Sequence, residues 1–298
     1  MKYFKAPLDY CQILSLLKSR GLLIKDEDQA IKNLKVISYF RLANYLSPME
    51  QDKVLHVYKP NSYFENAIRI YYFDKELRSI IFDAIQSIEI ALRSKCTNLV
   101  SLKYGAFWFA DPTLFNDISI FNQCISLIKS EISRSKEDFI SEHYQKYSSP
   151  AFPPAWKTLE VVSFGTLSKI ITNLKDNAIK KKIAREFNLP QHLVLENWMK
   201  CLVNLRNCIA HHARVWNRNF PTIPQIDISL RGNWIESSNI SKVKLYPQVC
   251  LIEYLIQNIN LESKFKDKLI ELLHNNPNID IKAMGFPRYW GSDPLWKF

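Results

Sequence analysis

The stretch SYFENAIRIYYFDKELRSIIFDAIQSIEIALRSKCTNLV, Ser62 to Val100, decides the fold class. Ser62 followed by Glu65 is the pattern of a capping box, in which side chains satisfy the orphan N–H groups of a helix start. From there a helical pattern runs to about Val100, with a break expected near Asp74. Toward the N-terminus, Leu8–Ser19 carries apolar residues at helical spacing, and Gly21 stands where a C-terminal cap belongs. Asp26-Glu27-Asp28-Gln29 resembles a second capping box, opening a helix through Ile31, Leu34, Ile37 and Phe40. These two helices could pass for a helix-turn-helix DNA reader. The second carries Lys32 and Lys35 but also a run of core-type residues, which favours a scaffold role.

Toward the C-terminus, an aromatic, irregular stretch (Tyr104–Phe115) precedes renewed helical periodicity from Ile118 to Tyr147. Ser148-Ser149-Pro150-Ala151-Phe152-Pro153-Pro154 is a rigid connector and the best candidate for an internal boundary. Trp156–Leu174, Asn177–Phe187 and Gln191–His212 read as three further helices. Pro221 and Pro224 mark a loop, Pro247 opens a helix to about Ile259, and Leu261–His274 reads as the last. The tail from Asn275 reads as packed coil. No repeat or low-complexity tract is evident. Only six glycines in 298 residues is few for a sheet-rich fold or a Gly-rich phosphate loop, both of which need positive φ, so an all-α fold is expected. The expected organisation is an N-terminal helical region over 1–60, a helical bundle over 61–220, and C-terminal helices and aromatic coil over 221–298 packed on the bundle. One continuous domain is the alternative.

Hydrophobic residues make up 47% and charged residues 23%, a globular composition that excludes wholesale disorder. The net charge of +11 suits a polyanionic partner, nucleic acid or an anionic membrane surface, although solubility alone also accounts for it. The six cysteines form no C-x-x-C pair and several lie beside Leu or Ile in helical registers, so reduced thiols are expected rather than disulfides or a zinc site. The segment Met1–Pro7 lacks the apolar run of a signal peptide, and no stretch reads as a bilayer span, which leads to the expectation of a cytoplasmic protein without membrane contact.

The chemistry concentrates in Trp198–Asn219, WMKCLVNLRNCIAHHARVWNRN. Leu202, Leu205 and Ile209 give this helix an apolar side, and Arg206, Asn207, His211, His212, Arg214 and Arg218 crowd near its end. Asn207 and His211, four apart, share a face of an ideal helix; Arg206 and His211 lie about 140° apart, so only the length of the arginine can bring them together. The group suits cleavage of an RNA phosphodiester. An imidazole exchanges protons near neutral pH. A guanidinium stays charged and holds two phosphate oxygens. An asparagine orients a ring or binds a phosphate oxygen without adding charge. No cofactor is called for, and no carboxylate cluster suited to a metal stands nearby. As bare spacing the pattern is weak, since basic residues commonly close a helix C-terminus against the negative end of its dipole.

The neighbouring residues add weight. Leu205 to Arg218, LRNCIAHHARVWNR, resembles the signature of the Abi-like abortive-infection family (AbiD/AbiF type). Further stretches match it in order. Tyr39–Tyr45 resembles its N-terminal motif, and Tyr72–Arg78 and Ile88–Arg93 its central helix. His143-Tyr144, Trp156 with Glu160, and Ser163-Phe164-Gly165 follow, then the tail Gly285-Phe286-Pro287 with Trp290 and Trp296. That family is similar to HEPN ribonucleases and to the nuclease half-sites of type VI CRISPR effectors, whose motif is R-N-x-x-x-H. The resemblance implies a HEPN-like helical bundle with helical extensions at both ends. It also implies metal-independent RNA cleavage to a 2′,3′-cyclic phosphate, a toxin role in anti-phage abortive infection, and Arg206, Asn207 and His211 as catalytic residues. With one motif copy per chain, it further implies a homodimer with a composite site; an antitoxin or noncoding RNA is a further candidate partner.

Other residues carry two readings. Arg78, Glu89 and Arg93 fall on one stripe of their helix, because eleven residues make about three turns. Glu89 and Arg93 can pair, and a packing salt bridge is preferred over a role in orienting Arg206 or His211. His212 points about 100° from His211, so packing or solvation is preferred over proton transfer. His143 is polar enough to touch RNA, but a lone histidine on an amphipathic helix is usually structural. Trp156 with Glu160 reads as a buried contact. Lys180-Lys181-Lys182 is either a phosphate contact or a solvated face. Trp216 and Asn217 with Arg214 and Arg218 either bind RNA by stacking and phosphate contacts or lock the helix end onto the core. Against the ribonuclease stand a non-catalytic module that binds a small or guide RNA, a dimerising scaffold sealed by R-N-x-x-x-H, and, weakest, a metal-dependent nuclease.

Overall fold

A computed structural model describes residues 6–237, 239–259 and 262–297. Residues 1–5 of the expected leaderless N-terminus and the Leu261 start of the last helix lie outside the described residues. Among those described are twelve α-helices and one two-stranded sheet, so the all-α expectation holds. The chain divides into two compact units, Met1–Ser79 with Leu272–Ile279, and Ile80–Glu271 with Asp280–Phe298. The Pro-rich stretch 148–154 lies within the second.

In the first unit, α1 (Tyr10–Ser19) starts on a complete capping box between Asp9 and Gln12. It ends as expected at Gly21 (φ +89°), where Gly21 N–H donates to Lys18 O and Leu22 N–H to Leu17 O, the paired bonds of a Schellman cap. Asp26 caps α2 (Glu27–Ile37) by accepting from Gln29 N. This helix stops short of Phe40. Ser38 turns at φ 68°, a new helix α3 (Tyr39–Leu46) begins, and Phe40 stays 81% exposed. A short antiparallel hairpin, β1 (Glu50–Asp52) with β2 (Val57–Tyr58), follows where the sequence carried no strand signal.

Helix α4 (Phe64–Tyr104) runs 41 residues from the first unit into the second. The break expected at Asp74 is absent. Asp74 is buried, accepts from Tyr45 Oη at 2.7 Å and pairs with Arg78 one turn on. A carboxylate that would loosen an exposed helix is thereby compensated inside one. Glu65, expected to close a capping box with Ser62, accepts from Lys25 N at 2.9 Å. Along α4, Leu77, Ile81, Ile85, Ile88, Leu92, Cys96 and Val100 are fully buried at spacings of three and four, each stabilising by about 1.5–3 kcal/mol.

In the second unit the periodic stretch 118–147 resolves into α5 (Ile118–Arg134) and α6 (Asp138–Lys146), and 156–174 into α7 (Ala155–Val161) and α8 (Phe164–Thr172). Ser163 causes the latter division: extended at ψ 153°, it accepts from Thr166 N as a fresh N-cap. Then come α9 (Asn177–Arg185), α10 (His192–Ala210), α11 (Leu245–Asn258) and α12 (Phe265–Asn275), the last continuing into the first unit. Helix α10 packs on α8, α9 and α11 through Trp198, Met199, Leu202 and Leu205, all fully buried. The tail from Asn275 is not plain coil: three 3-10 turns bring Phe286, Trp290 and Trp296 onto Tyr246 or one another. All six cysteines are free thiols; Cys96, Cys124, Cys201 and Cys250 are buried, Cys208 is half-buried and Cys11 exposed.

Candidate functional site

Helix α10 carries its buried face up to Ile209 and ends at Ala210, with His211 as the C-cap at φ −85°. The end is a Schellman turn without glycine. His212 N–H donates to Ile209 O at 2.8 Å, Ala213 N–H donates to Cys208 O at 3.0 Å, and His212 adopts φ 56°. The two histidines are therefore not successive helical residues. His211 closes the helix with its N–H on Asn207 O at 3.1 Å, and His212 occupies the left-handed position that turns the chain away.

Arg206 is half-buried, and Asn207 and His211 are exposed. The three share one accessible helix end. Arg206 Nη1 lies 3.5 Å from Asn207 Oδ1, a marginal bond, and among the described residues no hydrogen bond joins Arg206 to the His211 ring. The acidic neighbour of Arg206 lies on α4. Glu89 Oε2 stands 4.0 Å from Arg206 Nε, a Coulombic contact too long for a hydrogen bond, while Glu89 Oε1 accepts from Arg93 Nη2 at 2.7 Å. Arg93, buried, also donates to Leu159 O and, at 2.9 Å, to Val162 O. These carbonyls close α7, whose last turn would otherwise leave acceptors unpaired. Glu89 thus makes the packing salt bridge expected of it and also faces Arg206. Arg78 is committed to Asp74 and Tyr45 in the first unit.

Beyond the helix the chain folds back on itself. Arg214 Nη2 donates to Asn217 O at 3.4 Å, Arg218 Nη1 donates to Arg214 O at 3.5 Å, and the Arg218 guanidinium lies 6.0 Å from the centre of the Phe220 ring. Asn217 adopts φ 49°, and its Oδ1 accepts from Lys244 Nζ at 3.0 Å. Trp216 is only 4% exposed and donates its ring N–H to Asp280 O, so it belongs to the core and is not a stacking surface. Both Lys244 and the α7 carbonyls escape sequence reasoning, because they meet the motif only through long-range packing.

Three other expectations separate. Lys180 is buried against Glu196 at 2.9 Å, whereas Lys181 and Lys182 are exposed. His143 is buried, and desolvation, then the charge of Lys157, lowers its pKa. The buried contact expected of Trp156 and Glu160 is overturned: Trp156 is 54% exposed and Glu160 is exposed, since α7 buries Ala155, Thr158 and Leu159 instead. Among the described residues no group of three or more His, Cys, Asp or Glu is arranged to hold a metal ion, and no helix is long and apolar enough to cross a membrane.

The fold and this helix end define an all-α protein presenting an arginine, an asparagine and a histidine from one buried helix. Residues 32–217, more than half the chain, match the family described as Abi-like protein, and the chain belongs to that family. The matched span includes Arg206, Asn207 and His211 and stops at Asn217, leaving the Gly285–Trp296 tail outside it. No curated protein and no solved structure matches the chain.

Proposed function

We propose that this chain is a HEPN-type endoribonuclease of the AbiD/AbiF kind, a cytoplasmic toxin acting in anti-phage abortive infection. The observation that carries the reading is the convergence of Arg206, Asn207 and His211 on one accessible helix end, with Glu89 turned toward Arg206. Membership of the Abi-like family supports the defence role.

In the proposed reaction a ribose 2′-oxygen attacks the adjacent phosphorus while its proton passes to an imidazole. The bond to the 5′-oxygen breaks, and that oxygen takes a proton from the second histidine, which enters the step as imidazolium. The products are a 2′,3′-cyclic phosphate and a 5′-hydroxyl. Arg206 holds the non-bridging oxygens as charge builds on them, and Asn207 adds a neutral hydrogen bond. No metal takes part. Each chain has one His211, so two imidazoles require a homodimer whose motifs face one another across a symmetry axis. Glu89, tied to Arg93, limits the swing of Arg206 so that the long side chain points to one phosphate. An antitoxin or a noncoding RNA would restrain such an enzyme in healthy cells.

Arg206→Ala and His211→Ala are each expected to remove RNA cleavage and cell toxicity while circular dichroism stays helical. Full cleavage by either variant contradicts the proposal. The net charge of +11 and the exposed Lys181 and Lys182 favour a second reading, a non-catalytic RNA-binding module. Salt-sensitive binding by wild type and His211→Ala alike, with no cleavage products from either, would select it.

A further inference from the structure

At the other end of α10 from the motif lies an open cleft of about 360 Å³ bounded by Arg185, Asn188, Leu189, Pro190, Ser229 and Arg231. Among the described residues its lining includes two arginines and no acidic residue. Neither Arg185 nor Arg231 engages its guanidinium in a hydrogen bond or ion pair among the described residues, and both are exposed. The acidic neighbours are already paired: Glu186 holds Lys95 at 3.0 Å, and Asp227, in the adjoining cleft, holds Lys242. Two uncompensated arginines beside a serine hydroxyl and an asparagine amide make a donor-rich, positive concavity.

The walls are held from beneath. Tyr254 of α11 is 1% exposed, and its hydroxyl meets the carbonyls of both Asn188 and Arg231 at 3.0 Å. Those carbonyls belong to the two separate segments that carry the arginines. The Tyr254 ring packs edge-on against Trp198 and Trp234, with centroids 5.8 and 5.4 Å away. Asn188 takes φ 57° to turn the chain out of α9, and its N–H donates to Arg185 O at 2.9 Å. The spacing of the two arginine-bearing segments is therefore set by a buried aromatic cluster, so that the arginine side chains, and not the backbone, are what binding must order.

We propose that this cleft is a phosphate-binding site, with Arg185 and Arg231 gripping the oxygens of one phosphoryl group and Ser229 and Asn188 completing its hydrogen bonds. Planar guanidinium groups match phosphate oxygens two at a time, which an unpaired lysine does not. The phosphoryl group comes either from the backbone of a bound RNA or from a free phosphate anion. Helix α10 advances about 21 Å between His192 and Arg206, so an RNA seated here would reach the motif by running along that helix.

The test is binding of two probes, inorganic phosphate and a short single-stranded oligoribonucleotide, to the full chain and to the double variant Arg185→Ala/Arg231→Ala. Both arginines are exposed, so the variant is expected to keep the wild-type melting profile. If the site holds RNA backbone, the oligoribonucleotide binds at least about tenfold more weakly to the variant. Its salt slope also shrinks by about 0.7, the share of one phosphate contact on a single strand. If it holds a free anion, phosphate binding disappears while RNA binding is unchanged. Equal binding of both probes by wild type and variant overturns the proposal. Because binding is measured and not cleavage, the outcome does not depend on whether the chain is a ribonuclease.

Discussion

Glu89 holds one carboxylate oxygen 2.7 Å from Arg93 Nη2 and turns the other toward Arg206, 4.0 Å from Nε. One acid on α4 therefore joins a buried arginine that anchors α7 to a half-buried arginine of the motif. Glu89→Gln retains the shape and lets Arg93 keep its carbonyl bonds to Leu159 and Val162. The neutral amide attracts Arg206 less. The expected outcome is a fall in RNA cleavage of about ten- to a hundredfold with a thermal midpoint close to wild type. Activity that falls only as far as the fraction folded would leave Glu89 as a packing residue alone.

His212 sits at φ 56° at the position where a Schellman turn favours glycine. For a residue with a Cβ that conformation is strained, although histidine tolerates it better than most. His212→Gly is expected to raise unfolding free energy by about 0.5–1 kcal/mol, read from denaturant titration, with cleavage retained. A variant that is more stable but inactive would assign His212 a part in the chemistry.

Trp216 decides between an RNA-stacking loop and a core lock. It is buried, with its N–H on Asp280 O. Trp216→Ala is expected to cost about 3–5 kcal/mol of stability, measured by chemical denaturation, because a large cavity opens behind the motif. A stable variant that binds RNA weakly would restore the stacking reading.

Asp176 caps α9 through Ala178 and Ile179 N–H and also accepts from Lys103 and Tyr104. The Lys103 bond first, then the Tyr104 bond, hold its carboxyl well below the ordinary 3.8. A folded-state value below the unfolded one favours the folded protein once the pH is above the unfolded value, and the contribution disappears as the pH falls toward the folded one. Asp176→Ala is expected to lower stability by about 1–2 kcal/mol at pH 7 and to flatten the loss of stability below about pH 4. Equal acid sensitivity in wild type and variant would contradict this assignment.

Local chemistry made much of the frame legible in the sequence. Few glycines, the Asp26–Gln29 start and the Gly21 stop all describe interactions within a turn or two, and the structure keeps them. What escaped depends on distant partners. Asp74 looks like a helix breaker until Tyr45 and Arg78 are placed around it. Trp156 and Glu160 look like a buried pair until α7 turns its other face inward. Ser163, by accepting from Thr166 N, divides what the sequence reads as one continuous periodic run. At the site, R-N-x-x-x-H is complete in sequence, yet that His211 caps the helix and not His212, and that Glu89 is the acid facing Arg206, follow only from packing.

His211 and Arg206 are proposed to cleave RNA without a metal. The most direct measurement incubates purified wild type, Arg206→Ala and His211→Ala with total cellular RNA in EDTA and maps the fragment ends. New 2′,3′-cyclic phosphate and 5′-hydroxyl ends from wild type alone are the predicted result. Intact RNA with wild type, or the same fragments from His211→Ala, would contradict it.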